Sequence, residues 1–445
     1  MRRYFARRIF HIEAVEILFN TKKIDSSEPI KQLKEFKNRN DLLKDMKVDE
    51  IIDLFDEISK YLSSKNCQIK DLLIKNELGF IIFWLKKSNI KKILDLNFKD
   101  YKLLDSPKYL SKKGSIIYAR PLGLAVHWIA GNVPILGVIS LFQTVLTKNK
   151  SIVKVPESFK FILSDILIDI KESNFFNRKI KEKLNILLDS ILVLYISRDD
   201  LASQEEISKI SDIRVAWGGL EAVENIVGLP KKLNTRDIIF GPKISVSFIT
   251  KNSIKNKKDL VTLSKGIADD VFAFNQAGCN APHNIILEKG FKFSFQEFID
   301  ILKIEFEKKT NKSFINIDPI LTFNLLVRKF LYQSDECKKV HQGKNNQWNI
   351  FVNHSEKVEA LDQPIFSRNI FISKVSSIEE LGNLLPVNIQ SIGLKVEENL
   401  KVSVIKTLSN FGADRFPEIG KMSLYQHPWD GYLPLQQTIK WISTN

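Results

Sequence analysis

From Asn40 to about Ser64 the apolar residues Ile51, Ile52, Phe55, Ile58 and Leu62 recur at three- and four-residue steps, which gathers them on one helical face. Residues 69–98 continue in that style, so the first hundred residues are expected to be mainly helical. From about Ser115 the rhythm changes, and short β-rich runs alternate with helical stretches. Strands are expected at Ile116–Tyr118, Leu124–Trp128, Ile152–Val155, Ile191–Ile196 and Ile213–Trp217. Helices are expected at Pro134–Thr147, Ser158–Glu172, Asp200–Ile210 and Leu220–Val227. Such alternation implies an α/β fold with a parallel, doubly wound sheet. A second block follows, with strand Ile244–Thr250, helix Lys257–Val271, strand His283–Leu287 and helix Ser294–Glu307. The spacing of Ser294 and Glu297 is that of a capping box, which marks the start of that last helix. Beyond Leu394 come short apolar runs and a loop-like stretch over 412–431, and no internal repeat or heptad pattern is present.

Composition narrows the class. Among 445 residues, 67 Lys and Arg outnumber 52 Asp and Glu, for a net charge of +15. The lysines are scattered rather than gathered on one element, so a nucleic-acid partner is not expected. A solvated Lys surface is the plainer reading, with a basic face for phosphate-bearing small molecules or an acidic partner as the alternative. Cys67, Cys279 and Cys337 are too few and too far apart for a disulfide framework or a four-cysteine zinc site. No metal is expected, and the compartment is expected to be reducing and cytoplasmic. Residues 1–8 are basic but no apolar run follows them, so export is not expected. Between Arg120 and Lys148 no residue is charged, which is long enough by count to span a bilayer. Gly123, His127, Gly131, Asn132, Pro134 and Gly137 interrupt it, so it reads as strand, turn and buried helix.

Four segments carry chemistry. Gly131-Asn132-Val133-Pro134 lies between a strand and a helix, where Asn132 is either a helix cap or an amide donor to an oxyanion. Lys154 and Glu157 flank the end of a strand, placed for an adenosine ribose or simply as two surface charges. Trp217-Gly218-Gly219 joins a strand to a helix, and its glycines allow a pyrophosphate to approach the helix N-terminus; an ordinary turn is the alternative. Cys279 lies in the small, polar run Phe274–His283, which suits a nucleophile more than a core thiol, although an inert loop cysteine fits too. His283 is near it in sequence as a proton carrier, while Cys67 and Cys337 read as incidental.

Taken in order, these segments resemble the aldehyde dehydrogenase superfamily, and more closely its acyl-CoA reductase (LuxC) branch, the reductase of the bacterial bioluminescence fatty-acid reductase complex. The resemblance also rests on Arg120-Pro121-Leu122-Gly123, Val215–Ala222, Gly241-Pro242-Lys243, Gly412-Ala413-Asp414-Arg415 and Trp429-Asp430-Gly431. It implies a Rossmann-like cofactor domain, an α/β catalytic domain and a small oligomerisation element. The divisions would then be a helical part over 1–114, an NAD(P)-binding domain over 115–240, a catalytic domain over 241–410, and a returning segment over 411–445. Cys279 is implied as nucleophile, Asn132 with the Cys279 backbone N–H as oxyanion donors, Lys154 and Glu157 as ribose contacts, and Trp217, Gly218 and Gly219 as the pyrophosphate loop. Two positions depart from the superfamily pattern. Ile239 stands where a Glu usually activates water, and the Glu-x-Phe-Gly-Pro motif is missing, the nearest run being Asp362–Phe366.

The implied reaction is reduction of a long-chain acyl-CoA or acyl-protein thioester to aldehyde. It would pass through an acyl-Cys279 thioester and a thiohemiacetal, with NADPH, or alternatively NADH, as hydride donor. The same chemistry on a short, polar or amino-acyl thioester or an acyl phosphate is the nearest alternative, followed by a non-catalytic nucleotide-binding subunit. An acyl-activating synthetase or acyl-transferase is the implied partner, in a homo-oligomer. A luminescence role does not follow from such chemistry alone.

Overall fold

Leu124–Trp128 is buried at all five positions, as befits a central parallel strand with helices over both faces. The computed structural model describes residues 15–19, 29–39, 41–110, 114–315, 318–355, 358–359 and 361–444, so the basic residues 1–8 lie outside it. The chain divides into two compact units, one running to Gly241 and resuming at Tyr432, the other Pro242–Gly431.

The first unit contains strands β1 (Val15–Phe19), β2 (Lys108–Tyr109), β3 (Ile116–Pro121), β4 (Leu124–Trp128), β5 (Lys150–Val155), β6 (Ile191–Ile196), β7 (Ile213–Trp217) and β8 (Arg236–Phe240). Its six-stranded sheet has the order β1-β6-β5-β4-β7-β8, parallel except for β1. The chain winds outward from β4 to β6, then returns to the other side of β4 as β7, so a switch point lies between β4 and β7. In such sheets the crevice beyond the carboxyl ends at that point takes the ligand.

Between β4 and β5 runs the helix Pro134–Leu146, buried at every residue from Ile135 onward. The charge-free stretch is therefore strand, turn and buried helix. No helix among the described residues is long and apolar enough to cross a membrane. His127 is buried on β4 between the Ser140 and Thr144 hydroxyls, each 3.1 Å away, and burial pushes its pKa down to about 3. On the same helix sits Val48–Ser63, whose buried Ile51, Ile52, Phe55, Ile58 and Leu62 form the face read from the sequence. Phe55 meets Phe142 edge to face at 5.1 Å.

Arg214 of β7 is fully buried. Its Nε and Nη2 donate to Asp237 at 2.7 and 2.8 Å, and its Nη1 donates to the Ile226 and Leu229 carbonyls. One guanidinium thus closes the C-terminal end of the helix Leu220–Gly228 and ties β7 to β8.

The second unit carries β9 (Ile244–Ile249), β10 (Pro282–Glu288), β11 (Lys338–Gln342), β12 (Asn349–Asn353), β13 (Asn369–Val375) and β14 (Ile389–Lys395). Their order is β11-β12-β13-β10-β9-β14, parallel except for β11. Ile249, Leu260, Ile267, Ile285, Phe298 and Trp348 pack in one core cluster, and Val246, Phe248, Ile392, Val404 and Leu408 in another. Ser294 caps the helix Phe295–Thr310 by accepting from the Glu297 N–H at 3.1 Å.

Ser245 lies between two register shifts. On one side Ile389 and Ser391 pair with Ile244 and Ser245; on the other Pro282 and Asn284 pair with Ser245 and Val246. Gln390 and His283 are the extra residues of the two bulges. Such insertions re-aim a side chain.

After the second unit the chain rejoins the first, where β15 (Ile439–Ser443) pairs antiparallel with β3 and completes a three-stranded sheet with β2. Polar groups of the first unit grip this returning segment. Arg236 Nη1 donates to the Gln437 and Ile439 carbonyls, each at 2.9 Å, and Asn149 Nδ2 to the Thr438 carbonyl at 3.0 Å.

Candidate active site

The first unit's switch point opens into a cavity of about 650 Å³, within the usual range for a small-molecule or cofactor site. Asn132, Lys154, Glu157, Trp217, Gly218 and Gly219 all line it. Local geometry explains how they meet. A Cβ at Gly137 would lie 2.4 Å from Ile129 Cγ2, so the missing side chain lets the helix Pro134–Leu146 settle against the chain leaving β4. The cap position of that helix is Val133, which makes no side-chain cap bond. Asn132 lies one residue earlier, exposed toward the cavity rather than in the cap position.

Gly219 occupies the cap position of the helix Leu220–Gly228 with φ −68°, so the turn itself does not demand glycine. Nothing lies within 4 Å of a Cβ built there, which leaves the helix N-terminus open to an anion. Trp217 stacks on Phe240 with ring centroids 3.8 Å apart. The buried Nε1 atoms of Trp128 and Trp217 have no hydrogen-bond partner among the described residues. Buried indole donors ordinarily find one, so two orphans beside this cavity fit a polar ligand held there.

Two further lining residues, Tyr195 and Arg198, were missed from sequence. Both stand at the carboxyl end of β6, the neighbour of β5, and the strand-end rule applied to that run would have found them. The Tyr195 side chain hydrogen-bonds Glu157, and that contact raises the tyrosine pKa. Burial lowers the Lys154 pKa, and the Arg198 charge lowers it further. The end of the cavity lined by Lys154, Glu157, Tyr195 and Arg198 therefore offers two cations against one carboxylate already engaged by a tyrosine.

Cys279 and His283 belong to the second unit. The helix Lys257–Phe272 runs into a turn where Phe274, Asn275 and Gln276 take φ of 47°, 52° and 65°. Three consecutive non-glycine residues in the left-handed region cost about 1–3 kcal/mol each unless their surroundings hold them. Here buried side chains do so. Arg368 donates from Nε and Nη2 to Asn275 Oδ1 at 3.1 and 2.6 Å. Gln276 Nε2 donates to the Pro282 and Asn369 carbonyls, while its Oε1 accepts the Asn369 N–H. Strain of this kind gathers at functional sites.

The turn delivers a half-buried Cys279 whose carbonyl accepts from Ser245 Oγ at 2.7 Å. Burial pushes the thiol pKa up to about 12 and the Asp430 carboxylate adds to that. A hydrogen bond from the Gln390 side chain and the Arg415 guanidinium oppose the rise. Lys243, paired with Asp414 at 2.7 Å, is itself influenced by Cys279. His283 is buried in its bulge, edge-on to Phe366 at 4.9 Å. Burial lowers its pKa to about 3, so the imidazole is neutral and a weak base there. Its Nδ1 has no partner among the described residues. No cluster of three or more His, Cys, Asp or Glu suited to a metal occurs among the described residues.

The chain matches the family described as acyl-CoA reductase (LuxC) over residues 43–441. Among its relatives is a long-chain acyl-protein thioester reductase of Photobacterium phosphoreum, 26% identical over 370 residues, covering 80% of this chain and 69% of the relative. Another of that name, from Vibrio harveyi, is 26% identical over 457 residues, covering 96% and 89%. Among solved structures, a lactaldehyde dehydrogenase superposes with a TM-score of 0.67 at 12% identity, covering 98% of this chain and 96% of that one. An NADP-dependent glyceraldehyde-3-phosphate dehydrogenase of Bacillus halodurans, complexed with NADP, gives 0.64 at 13% identity, covering 94% and 90%. The fold is thus that of the aldehyde dehydrogenases, and the chain belongs to the acyl-CoA reductase (LuxC) family.

Proposed function

We propose that this chain reduces a long-chain acyl thioester to the aldehyde, with Cys279 carrying the acyl group and a nicotinamide cofactor held in the first unit's cavity. The observation that carries the proposal is the strained turn locked by Arg368 and Gln276, which presents one cysteine among charged partners. The names of the relatives support a long-chain acyl group.

The Cys279 thiolate attacks the acyl carbon, its C–S bond forms as the donor thiolate leaves, and the proton lost by Cys279 balances the one gained by the departing thiol. The Cys279 backbone N–H and Asn132 would donate to the tetrahedral oxyanion. Ile239, in the position where the superfamily has a catalytic Glu, offers no base to activate water, so the acyl-enzyme persists for reduction. Trp217, Gly218, Gly219, Lys154, Glu157 and Arg198 would hold the dinucleotide. When bound, that cofactor supplies the hydride for the acyl carbon. Expulsion of the Cys279 thiolate from the reduced adduct then frees the aldehyde.

Lys154 and Arg198 favour a 2′-phosphate, hence NADPH, with NADH the weaker cofactor. Replacing Arg198 with Glu is expected to raise the KM for NADPH about tenfold while kcat stays within about twofold. Steady-state kinetics with both cofactors check this; an equal change for NADH would remove the phosphate assignment.

The reading as a whole is tested by following NADPH loss against a ladder of acyl-CoA chain lengths. Rates that peak at long chains, with aldehyde recovered, are the expected result. Activity confined to short or polar acyl groups would overturn the substrate class. No oxidation of NADPH or NADH with any acyl-CoA or acyl-protein thioester would overturn the function.

A further inference from the structure

Two of the family-like motifs, Gly412–Arg415 and Trp429–Gly431, acquire a place only in the fold. The bulge on β14 leaves the Gln390 carbonyl free of β9, and it accepts the Asp414 and Arg415 N–H groups at 3.0 and 3.1 Å. That brings Arg415 to the strand, where Nη1 donates to Ser391 Oγ at 3.1 Å and the guanidinium lies 4.1 Å from the centre of the Trp429 ring. The Gln390 side chain, with no solvent exposure, donates from Nε2 to Asp430 Oδ1. The Ser391 N–H in turn donates to Ser245 Oγ, the hydroxyl that holds the Cys279 carbonyl. A single buried hydrogen-bonded network therefore joins the bulge, both motifs and the nucleophile's backbone.

We propose that Gln390 is a positioning residue: Asp430 fixes its amide, and its bulge ties Arg415 and, through Ser391 and Ser245, the Cys279 backbone into one network, so that Gln390, Asp430 and Arg415 together set the reactivity of the thiol. The inference rests on Cys279 being the nucleophile. Asp430 accepts from Nε2, which fixes the orientation of the amide; the opposite one would set Oε1 against a carboxylate. Oε1 has no partner among the described residues. The charged groups that act on the thiol are Asp430 and Arg415 from the C-terminal stretch and Lys243, which Asp414 partly neutralises. His283 in the opposite bulge is neutral.

The sign is fixed by charge. Asp430 disfavours the thiolate, so its removal moves the reactivity profile of Cys279 to lower pH; Gln390 and Arg415 favour the thiolate, so losing either moves it to higher pH. The experiment is iodoacetamide alkylation of the full chain across pH, followed for each cysteine peptide by mass spectrometry. Asp430→Asn keeps an acceptor for the amide but loses the charge, and Cys279 should alkylate about tenfold faster at a given pH. Gln390→Leu should alkylate about tenfold more slowly. The exposed Cys337 serves as internal reference and should not change. In wild type, Cys279 should react with a midpoint above that of Cys337, a comparison that needs no variant to fold. A Cys279 midpoint at or below that of Cys337, or folded variants that keep the wild-type profile, would overturn the proposal. Alkylation reads the thiol itself, so its outcome is independent of which acyl group, if any, the enzyme reduces.

Discussion

Replacing Cys279 with Ala is expected to abolish acylation of the protein and to lower turnover by about 10⁴-fold or more, since loss of a nucleophile removes the covalent step rather than weakening it. The other two thiols are poor substitutes. Cys67 is buried in the helical part, where desolvation raises its pKa, and Cys337 is exposed on the approach to β11 with no comparable network around it among the described residues. Incubated with an acyl-CoA and no reduced cofactor, wild-type protein should gain the mass of one acyl group on the Cys279 peptide, and the Ala variant none. Asn132→Ala would retain the adduct. An adduct mapped to Cys67 or Cys337, or an Ala variant that turns over at the wild-type rate, would defeat the mechanism.

Replacing Arg214 with Met is expected to destabilise the chain by about 3–5 kcal/mol, the cost of breaking a buried ion pair by removing one partner. Met fills much of the volume but donates no hydrogen bond. Among the described residues Asp237 would keep only Lys231, at 2.7 Å, as a side-chain partner, and the Ile226, Val227 and Leu229 carbonyls would lose their common donor. These carbonyls end the helix whose other end opens on the cavity, so dinucleotide affinity should fall as well. The Asp237 carboxyl is held below its usual range by Arg214 and Lys231, against the opposing effect of burial. A depressed carboxylate pKa contributes stability above its unfolded value and loses it as pH falls through the folded one, so the wild-type advantage over the variant should shrink in acid below about pH 4. Urea unfolding at neutral pH and in acid checks both points; a loss of less than about 1 kcal/mol at neutral pH would show that the guanidinium is dispensable.

Buried strands were the most legible part of the sequence. Ile191–Ile196 and Ile213–Trp217 begin and end where their apolar runs do, and Leu124–Trp128 begins with its run, because both faces are covered and every position must be apolar or satisfied. Edge strands were not legible. Val15–Phe19 and Lys338–Gln342 pair on one side only; in the first the apolar run is just Ile17–Phe19, and in the second Val340 stands alone among polar residues. The helix Pro319–Gln333 exposes Ile320, Phe323 and Phe330 and buries Lys329, inverting the pattern that would have announced it. The expected helix from Ser158 starts later, at Ile162, after a short turn over Glu157–Phe159. In the candidate site, the six residues picked from strand ends share one cavity because strand order, which alternation implies, places those ends together. Gln390 and the part played by Asp430 were invisible, since a bulge arises from pairing between strands distant in sequence. So was the strained turn, whose positive φ values fall on Phe, Asn and Gln where glycine would have been the signal.

The return of the chain to β3 also fixes an order of assembly. During synthesis the first unit emerges up to Gly241 with one side of β3 unpaired, with Arg236 still without the Gln437 and Ile439 carbonyls and Asn149 without that of Thr438. Those partners leave the ribosome only after all of Pro242–Gly431, a continuous stretch able to collapse as it appears. The first unit to be translated is thus the last to be latched, and until then the open side of β3 is free to pair with a neighbour.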